Sequence, residues 1–283
     1  MEIITGEKFQ YLADIYIGDK EFNKNNHIFN TSLYTDKCYN VNMLHDKENF
    51  GNLTKIFIYT HIFNNKRDII MKSLSKIKHK FIIIFHNSDC VVDTTFLELL
   101  DKTMCEKIFA QNVCVINKQI QYLPIGIANS KWKHGDKDLL RKVINNDIKK
   151  ENNIFFNFTI HTNFNKRNNC YKAYKDKIPF TNFNNQEKYL FELKKCKYCI
   201  SPQGNGPDCH RIWECLYLDV IPVCKRSKFI ENIEKDFPIY IVDEWEDLLI
   251  NDELYNNYEY YIQQLDKKKL CFKYWNNKII QMV

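Results

Sequence analysis

The sequence is first bounded by what it lacks. No apolar run in its 283 residues approaches the roughly 18 that a membrane-spanning helix requires, so no membrane span is expected. The opening stretch, Met1 to Lys8, has neither the basic nor the apolar region of a secretory signal, which gives the expectation of a cytoplasmic protein. There is no internal repeat and no low-complexity linker. The patterns G-x-x-x-x-G-K-[ST] and full G-x-G-x-x-G are both missing, which argues against a P-loop NTPase and a dinucleotide-type Rossmann site. Cys196 and Cys199 have zinc-like spacing, but no second such pair exists, so no zinc site is expected. Eleven cysteines, an odd number set in apolar contexts such as Val223-Cys224, read as free buried thiols of a reducing compartment. A formal charge of +6 spread over scattered lysines suits a phosphate-bearing ligand but not nucleic acid.

Enough remains for a sizeable core. Apolar residues make up 45% and aromatic residues 14%, which excludes a disordered chain and allows two modest domains or one large one. Asn23 to Asn30 reads as a polar loop. From Lys55 on, buried strands (55–60, 80–85, 107–111 and 120–122) alternate with helical patterns (65–77 and 94–102). That alternation predicts βαβ units and a parallel sheet. The charged helix of 136–150 and the polar run Glu151–Asn153, read as a hinge, place a domain boundary at 150. A second α/β rhythm follows over 151–283, with strands at 154–160, 220–224 and 238–242 and helices at 166–174 and 186–195. The fold expected is α/β, with two Rossmann-like domains facing a cleft.

The most informative stretch runs from Cys199 to Cys224. It predicts a strand ending at Ser201, a loop with Gly204 and Gly206, a helix over 208–218 and a buried strand. Asp208 stands where an N-cap belongs. The two glycines allow positive φ and a close backbone approach to a ligand. A helix N-terminus offers unpaired N–H groups and a positive dipole end to phosphate. Arg211 and Glu214, three residues apart on one face, suit a diphosphate beside a ribose. Such a pair is equally at home as a surface ion pair.

The string Ser201-Pro-x-Gly-Asn-Gly-x-Asp-x-His-Arg-x-Trp-Glu214, followed by Ile221-Pro-Val, resembles the donor-site signature of exostosin-like glycosyltransferases. These belong to the GT-B group, and sequences of this sort occur in large DNA viruses and algae. The likeness extends to Lys225, Ser227, Phe237–Leu248, His86–Asp89 and Leu123–Trp132, but only Ser201–Glu214 is specific. It implies a nucleotide-sugar donor, UDP- or GDP-linked, held by Ser201, Gly204, Asn205, Gly206, Asp208, His210, Arg211, Glu214 and Lys225. The acceptor would be a glycan or glycoprotein, with no cofactor beyond the donor. Membrane-resident relatives carry an anchor; here a cytosol or a viral factory is expected. The mechanism implied is metal-independent, on the reading that the Asp-x-Asp pair of GT-A enzymes is missing. In GT-B proteins the last helix often crosses back onto the first domain.

Two further groups are read from position. Asn163 and Arg167 open a helix after a strand, where they can reach a donor phosphate or simply meet solvent. His86 and Asp89 follow the strand ending at Phe85, and in open α/β sheets ligands sit at the carboxyl ends of strands. Either one can serve as the base that takes the acceptor proton; a turn or cap would explain the same residue types. Asn129 and Trp132 suggest an acceptor-side loop, since an exposed indole stacks on a sugar face, although Trp132 suits interdomain packing equally. The alternatives are a metal-dependent phosphodiester hydrolase or nuclease using Asp208, His210, His86 and Asp89, and a nucleotide-sugar-binding module without catalysis.

Overall fold

In the computed structural model, residues 1–18, 38–40 and 53–281 are described. The loop expected over 23–30 lies outside them. The chain divides into two compact units. The first comprises Glu2–Ile125 and Phe272–Val283; the second is Gly126–Cys271, with Met1.

The first unit holds β1 (Ile15–Gly18), β2 (Cys38–Asn40), β3 (Thr54–Tyr59), β4 (Phe81–His86), β5 (Cys105–Ala110) and β6 (Ile120–Tyr122). They form a parallel sheet in the order β2-β1-β3-β4-β5-β6. The direction of sheet growth reverses between β1 and β3, which makes a topological switch point there. Every residue of β4 is buried, as an unbroken run of Phe and Ile requires when both sheet faces are covered. The helix expected over 65–77 is two helices, Thr60–Asn65 and Arg67–Leu74. Lys66 leaves helical geometry between them, at φ −130° and ψ 31°. The last helix, Phe272–Ile280, belongs to this unit. Phe272 meets the Phe9 ring at 5.2 Å and Trp275 meets Tyr122 at 5.2 Å.

The second unit holds β7 (Glu151–Phe155), β8 (Cys196–Ile200), β9 (Ile221–Lys225) and β10 (Tyr240–Val242), parallel in the order β10-β9-β8-β7. The hinge expected at Glu151–Asn153 is the start of β7, where Glu151 pairs with Cys196. These residues are polar because β7 is an edge strand with an exposed beginning, and the register shifts between Glu151 and Ile154. The division falls after Ile125, so 126–150 goes with the second unit. Lys194 Nζ fixes it there, donating to Val143 O and Ile144 O at 2.8 Å each and so capping the Lys137–Ile144 helix. The core gathers Tyr198 and Ile200 of β8 with Ile221 and Val223 of β9, under Tyr174 and Trp245. Each such side chain contributes about 1.5–3 kcal/mol by leaving water. Among the described residues, no helix is long and apolar enough to cross a membrane.

Candidate functional site

The site builds outward from the carboxyl end of β8. Ser201 N still donates to Val223 O at 2.9 Å, but Pro202 has no N–H to continue a ladder. The chain loops through 202–209 into the helix His210–Tyr217. Gly204 and Gly206 do not take the positive φ expected of them; Gly126, at 66°, is the glycine in that region among the described residues. What Gly204 provides is space. A Cβ there would meet Arg167 Nη2 at 3.2 Å. Asn163 Nδ2 donates to Gly204 O at 2.8 Å, and Asn205 is exposed at the tip of the loop.

Asp208 is not the helix cap. Cys209 holds that position without a side-chain bond, and the buried Asp208 carboxylate instead accepts from Trp213 Nε1 at 2.7 Å. The indole, fully buried against Phe237, needs an acceptor more than the helix end does, because that end faces the loop. Cys209 itself brings no side-chain cap to the first-turn N–H groups.

Two guanidinium groups meet on one aromatic ring. Arg167 Cζ lies 5.8 Å and Arg211 Cζ 5.9 Å from the centre of the Phe158 ring. Arg167 is tied down, with Nε donating to Gln203 O at 3.0 Å and Nη1 to Thr159 O at 2.8 Å. Burial, and then the charge of Arg211, lower its pKa. Arg211 Nε is buried with no hydrogen-bond partner. Burial opposes its charge, but Tyr189, Cys199, Cys209 and Glu214 outweigh burial and hold its pKa above the ordinary value. Glu214 does not pair with it. That carboxylate is 7% exposed and accepts from Tyr189 OH at 2.8 Å, which leaves little of it for a ribose. Sequence reading could not find Phe158 or Tyr189, since each acts through a contact distant in the chain.

Residues of the same loop line a cavity of 480 Å³ at the carboxyl ends of β8, β9 and β10. Pro202, Pro207, Ile212, Cys224 and Trp245 give it apolar lining, Lys166, Lys172, Lys225 and Arg226 bring positive charge, and Glu244 and Glu246 bring negative charge. Lys225 Nζ pairs with Glu244 at 2.5 Å, and Arg226 pairs with Asp243. Of the expected donor residues, Ser201 and Lys225 line this cavity. Arg167, Asn163 and Gly204 meet one another and do not line it, and Asp208 and Glu214 are buried. Lys166, Arg226 and Trp245 were missed, although the carboxyl-end rule that pointed to Lys225 applies equally to Arg226 and Trp245.

His210 is half-buried, and its Nδ1 lies 2.8 Å from Gly126 O. Burial lowers its pKa, with the Gly126 contact and Glu214 working the other way and His134 adding to the fall. Trp132 is 52% exposed and stacks on His134 at an interplanar angle of 19°; Asn129 O accepts from Trp132 N at 3.0 Å. Asn129 and Trp132, expected in the first domain, thus belong to the second unit.

In the first unit, His86 is the last residue of β4 rather than a residue beyond it. It is fully buried against Phe9, with Nδ1 3.2 Å from Asn87 Oδ1 and Nε2 3.2 Å from Pro124 O. A ring so enclosed is poorly placed to meet an acceptor hydroxyl. Asp89 is exposed, and its nearest chemistry is His61, which sequence reading missed. His61 N donates to Ser88 Oγ at 3.2 Å, and Nδ1 lies 3.3 Å from the same oxygen. Burial lowers the His61 pKa and Asp89 opposes that shift.

The expectation of metal independence overlooks one Asp-x-Asp triplet, Asp136-Lys137-Asp138. It is a helix start: Asp136 Oδ1 accepts from Asp138 N at 3.0 Å and Leu139 N at 2.9 Å, and Asp138 pairs with Arg141 at 2.7 Å. Among the described residues, no three His, Cys, Asp or Glu side chains gather to hold a metal ion.

No protein-family model matches the sequence, and no curated protein matches it. Among solved structures, the chain is similar to the crystal structure of an alpha1,3-fucosyltransferase, at 12% identity and a TM-score of 0.40, over 90% of this chain and 78% of that one.

Proposed function

We propose that this protein is a glycosyltransferase of GT-B type. It moves a sugar from a UDP- or GDP-linked donor to a hydroxyl of a glycan or glycoprotein, without a metal. The observation that carries this reading is Arg211, a guanidinium with a buried, unpartnered Nε, held beside a second cation on Phe158 in the first turn of a helix. Two like charges so placed, one with an unpaired donor, suit an anion. A diphosphate fits both, and the helix N-terminus adds N–H donors. The 480 Å³ cavity, lined in part by Gln203, whose carbonyl Arg167 holds, falls within the roughly 300–1,000 Å³ typical of small-ligand sites and offers apolar lining for a nucleoside.

In the reaction, the acceptor oxygen attacks the anomeric carbon and the bond to the diphosphate breaks. The charge that develops on the leaving oxygen is stabilised by Arg211 and the helix dipole, with Arg167 behind them. The exostosin-like assignment rests on the Ser201–Glu214 string and belongs to the same proposal, as does a cytosolic location.

The test is a thermal-shift panel of UDP, GDP, CDP, ADP and NAD, with and without EDTA. A ligand bound by the native state alone raises stability by RT ln(1 + [L]/Kd). A shift with UDP or GDP that survives EDTA is expected. No shift with any nucleotide, or a shift only with a divalent ion, would overturn the proposal and favour a binding module or a hydrolase.

A further inference from the structure

We propose that His210, through Nε2, is the general base that removes the proton from the acceptor hydroxyl. This rests on the glycosyltransferase reading above, and it moves the base from the first unit to the second.

Gly126 O can only accept, so His210 Nδ1 at 2.8 Å must carry the proton. In a neutral imidazole that leaves the lone pair on Nε2. Nε2 has no hydrogen-bond partner among the described residues. The anchor is itself fixed, because Gly126 has φ 66°, a left-handed conformation that favours glycine. Ring orientation and tautomer are thus set by the backbone, while the basic nitrogen remains available.

The surroundings keep the ring neutral. Two titratable groups bear on it: Glu214, one turn along the same helix, and His134, whose ring centre is 6.3 Å away. Burial outweighs the carboxylate, so the ring is unprotonated near pH 7, as a base must be. His134 is stacked in turn on the exposed Trp132. That indole gives a sugar-sized apolar face within two aromatic contacts of the base. His86 has no comparable freedom, since both of its nitrogens face oxygen atoms in the core.

The step balances without a further reactant. The acceptor O–H proton passes to His210 Nε2 as the new carbon–oxygen bond forms. The electron pair of the broken bond leaves with the diphosphate, and the imidazolium later returns its proton to solvent.

His210→Asn is the discriminating variant. The Asn amide nitrogen takes the place of Nδ1 and can still donate to Gly126 O, while the group at Nε2 is gone. We expect unchanged folding and unchanged UDP or GDP affinity, with release of nucleoside diphosphate from a panel of UDP- and GDP-sugars slowed by about 10²- to 10⁴-fold. The wild-type rate should fall as pH drops through the lowered His210 pKa, somewhere below 6.5, while nucleotide affinity stays flat, and the variant should lose that acid limb. A His210→Asn protein with the wild-type rate, or with the acid limb intact, would overturn the proposal. If the variant does not fold, the wild-type profile still decides: a rate with no acid limb at any pH below 6.5 at which the protein stays folded excludes an imidazole base. Failure of the glycosyltransferase reading looks different, because wild-type protein then binds neither UDP nor GDP, and this inference falls with it.

Discussion

The two sheets end in different ways at their carboxyl edges. In the first unit, polar groups at the end of β4 face one another and the backbone: His86 meets Asn87 and Pro124 O, and Asn87 reaches Gly6 O and Gln10 at 3.4 Å. In the second, the loop after β8 leaves Arg211 Nε buried and unpaired beside another cation. A folded chain does not keep such an arrangement for stability, since a buried donor without a partner costs about 1–3 kcal/mol. Unpartnered buried atoms also stand just past β3 and β5 in the first unit, at Thr60 Oγ1 and the Gln111 amide, but those groups are neutral. The proposal of a charged ligand rests on the second edge, where the unpaired donor belongs to a cation beside another cation.

The sharpest way to break that contrast is to compare Arg211→Ala with Asp89→Asn. A hydrogen bond to a charged group is worth about 1.5–3 kcal/mol, so Arg211→Ala should weaken UDP or GDP binding by roughly tenfold to more than a hundredfold. Its melting temperature should fall, because the surroundings that hold the Arg211 pKa above the ordinary value favour the cation and Glu214 loses that neighbouring charge, so affinity is compared at a temperature where both proteins are folded. Asp89→Asn should leave affinity unaltered. Equal affinities in calorimetric titrations of wild type and Arg211→Ala would end the assignment. Arg167→Ala sharpens the same point. It should lower stability as well as affinity, because it frees Gln203 O and Thr159 O.

The two edges also use glycine differently. At Gly6 a Cβ would lie 1.9 Å from Asn87 Oδ1 and 2.9 Å from His86 Nδ1, whereas at Gly204 it would meet only the far end of Arg167 at 3.2 Å. Gly6→Ala should therefore cost on the order of 1–3 kcal/mol by overpacking, read from urea unfolding. Gly204→Ala should cost less, with its effect on nucleotide affinity as Arg167 shifts. A Gly204→Ala protein more destabilised than Gly6→Ala would mean that the loop after β8 is the more tightly built of the two.

How much of this could be read in the sequence depended on whether the signal was local. The strand at Lys80–Phe85 declared itself by an unbroken apolar run, and the helix at Gln186–Lys195 by its spacing. The polar start of β7 did not, because an exposed edge strand carries no alternation to distinguish it from a hinge. Asp208 has the residue type and position of a cap, but its acceptor is claimed by Trp213, whose need for a partner arises only when the helix packs on Phe237. Arg211 was legible as a cation at a helix start. Its meeting with Arg167 across Phe158 joins three separate segments, and no spacing rule reports that. His61 was hidden because it follows an apolar strand by two residues and becomes notable only beside Ser88 and Asp89.

The smallest expected effect is a pH dependence that the edges share. His61 in the first unit and His210 in the second both have pKa values lowered by burial from 6.5. For each, the unfolded chain binds more protons than the folded one between the lowered value and 6.5. Stability therefore rises with pH through that window, is complete above 6.5 and is lost on acidification. Asp89 and Glu214 oppose the shifts, so each contribution should be modest. Urea unfolding at pH 7.5 and pH 5 should show wild type losing more stability than His61→Asn or His210→Asn. Because the two residues lie in separate units, the double variant should recover the sum of the two effects. If only His210→Asn flattens the profile, the pH response is confined to the edge proposed to bind the donor. If neither does, burial at these rings is weaker than their surroundings imply, and the neutral-base argument for His210 loses its electrostatic support while keeping its tautomer.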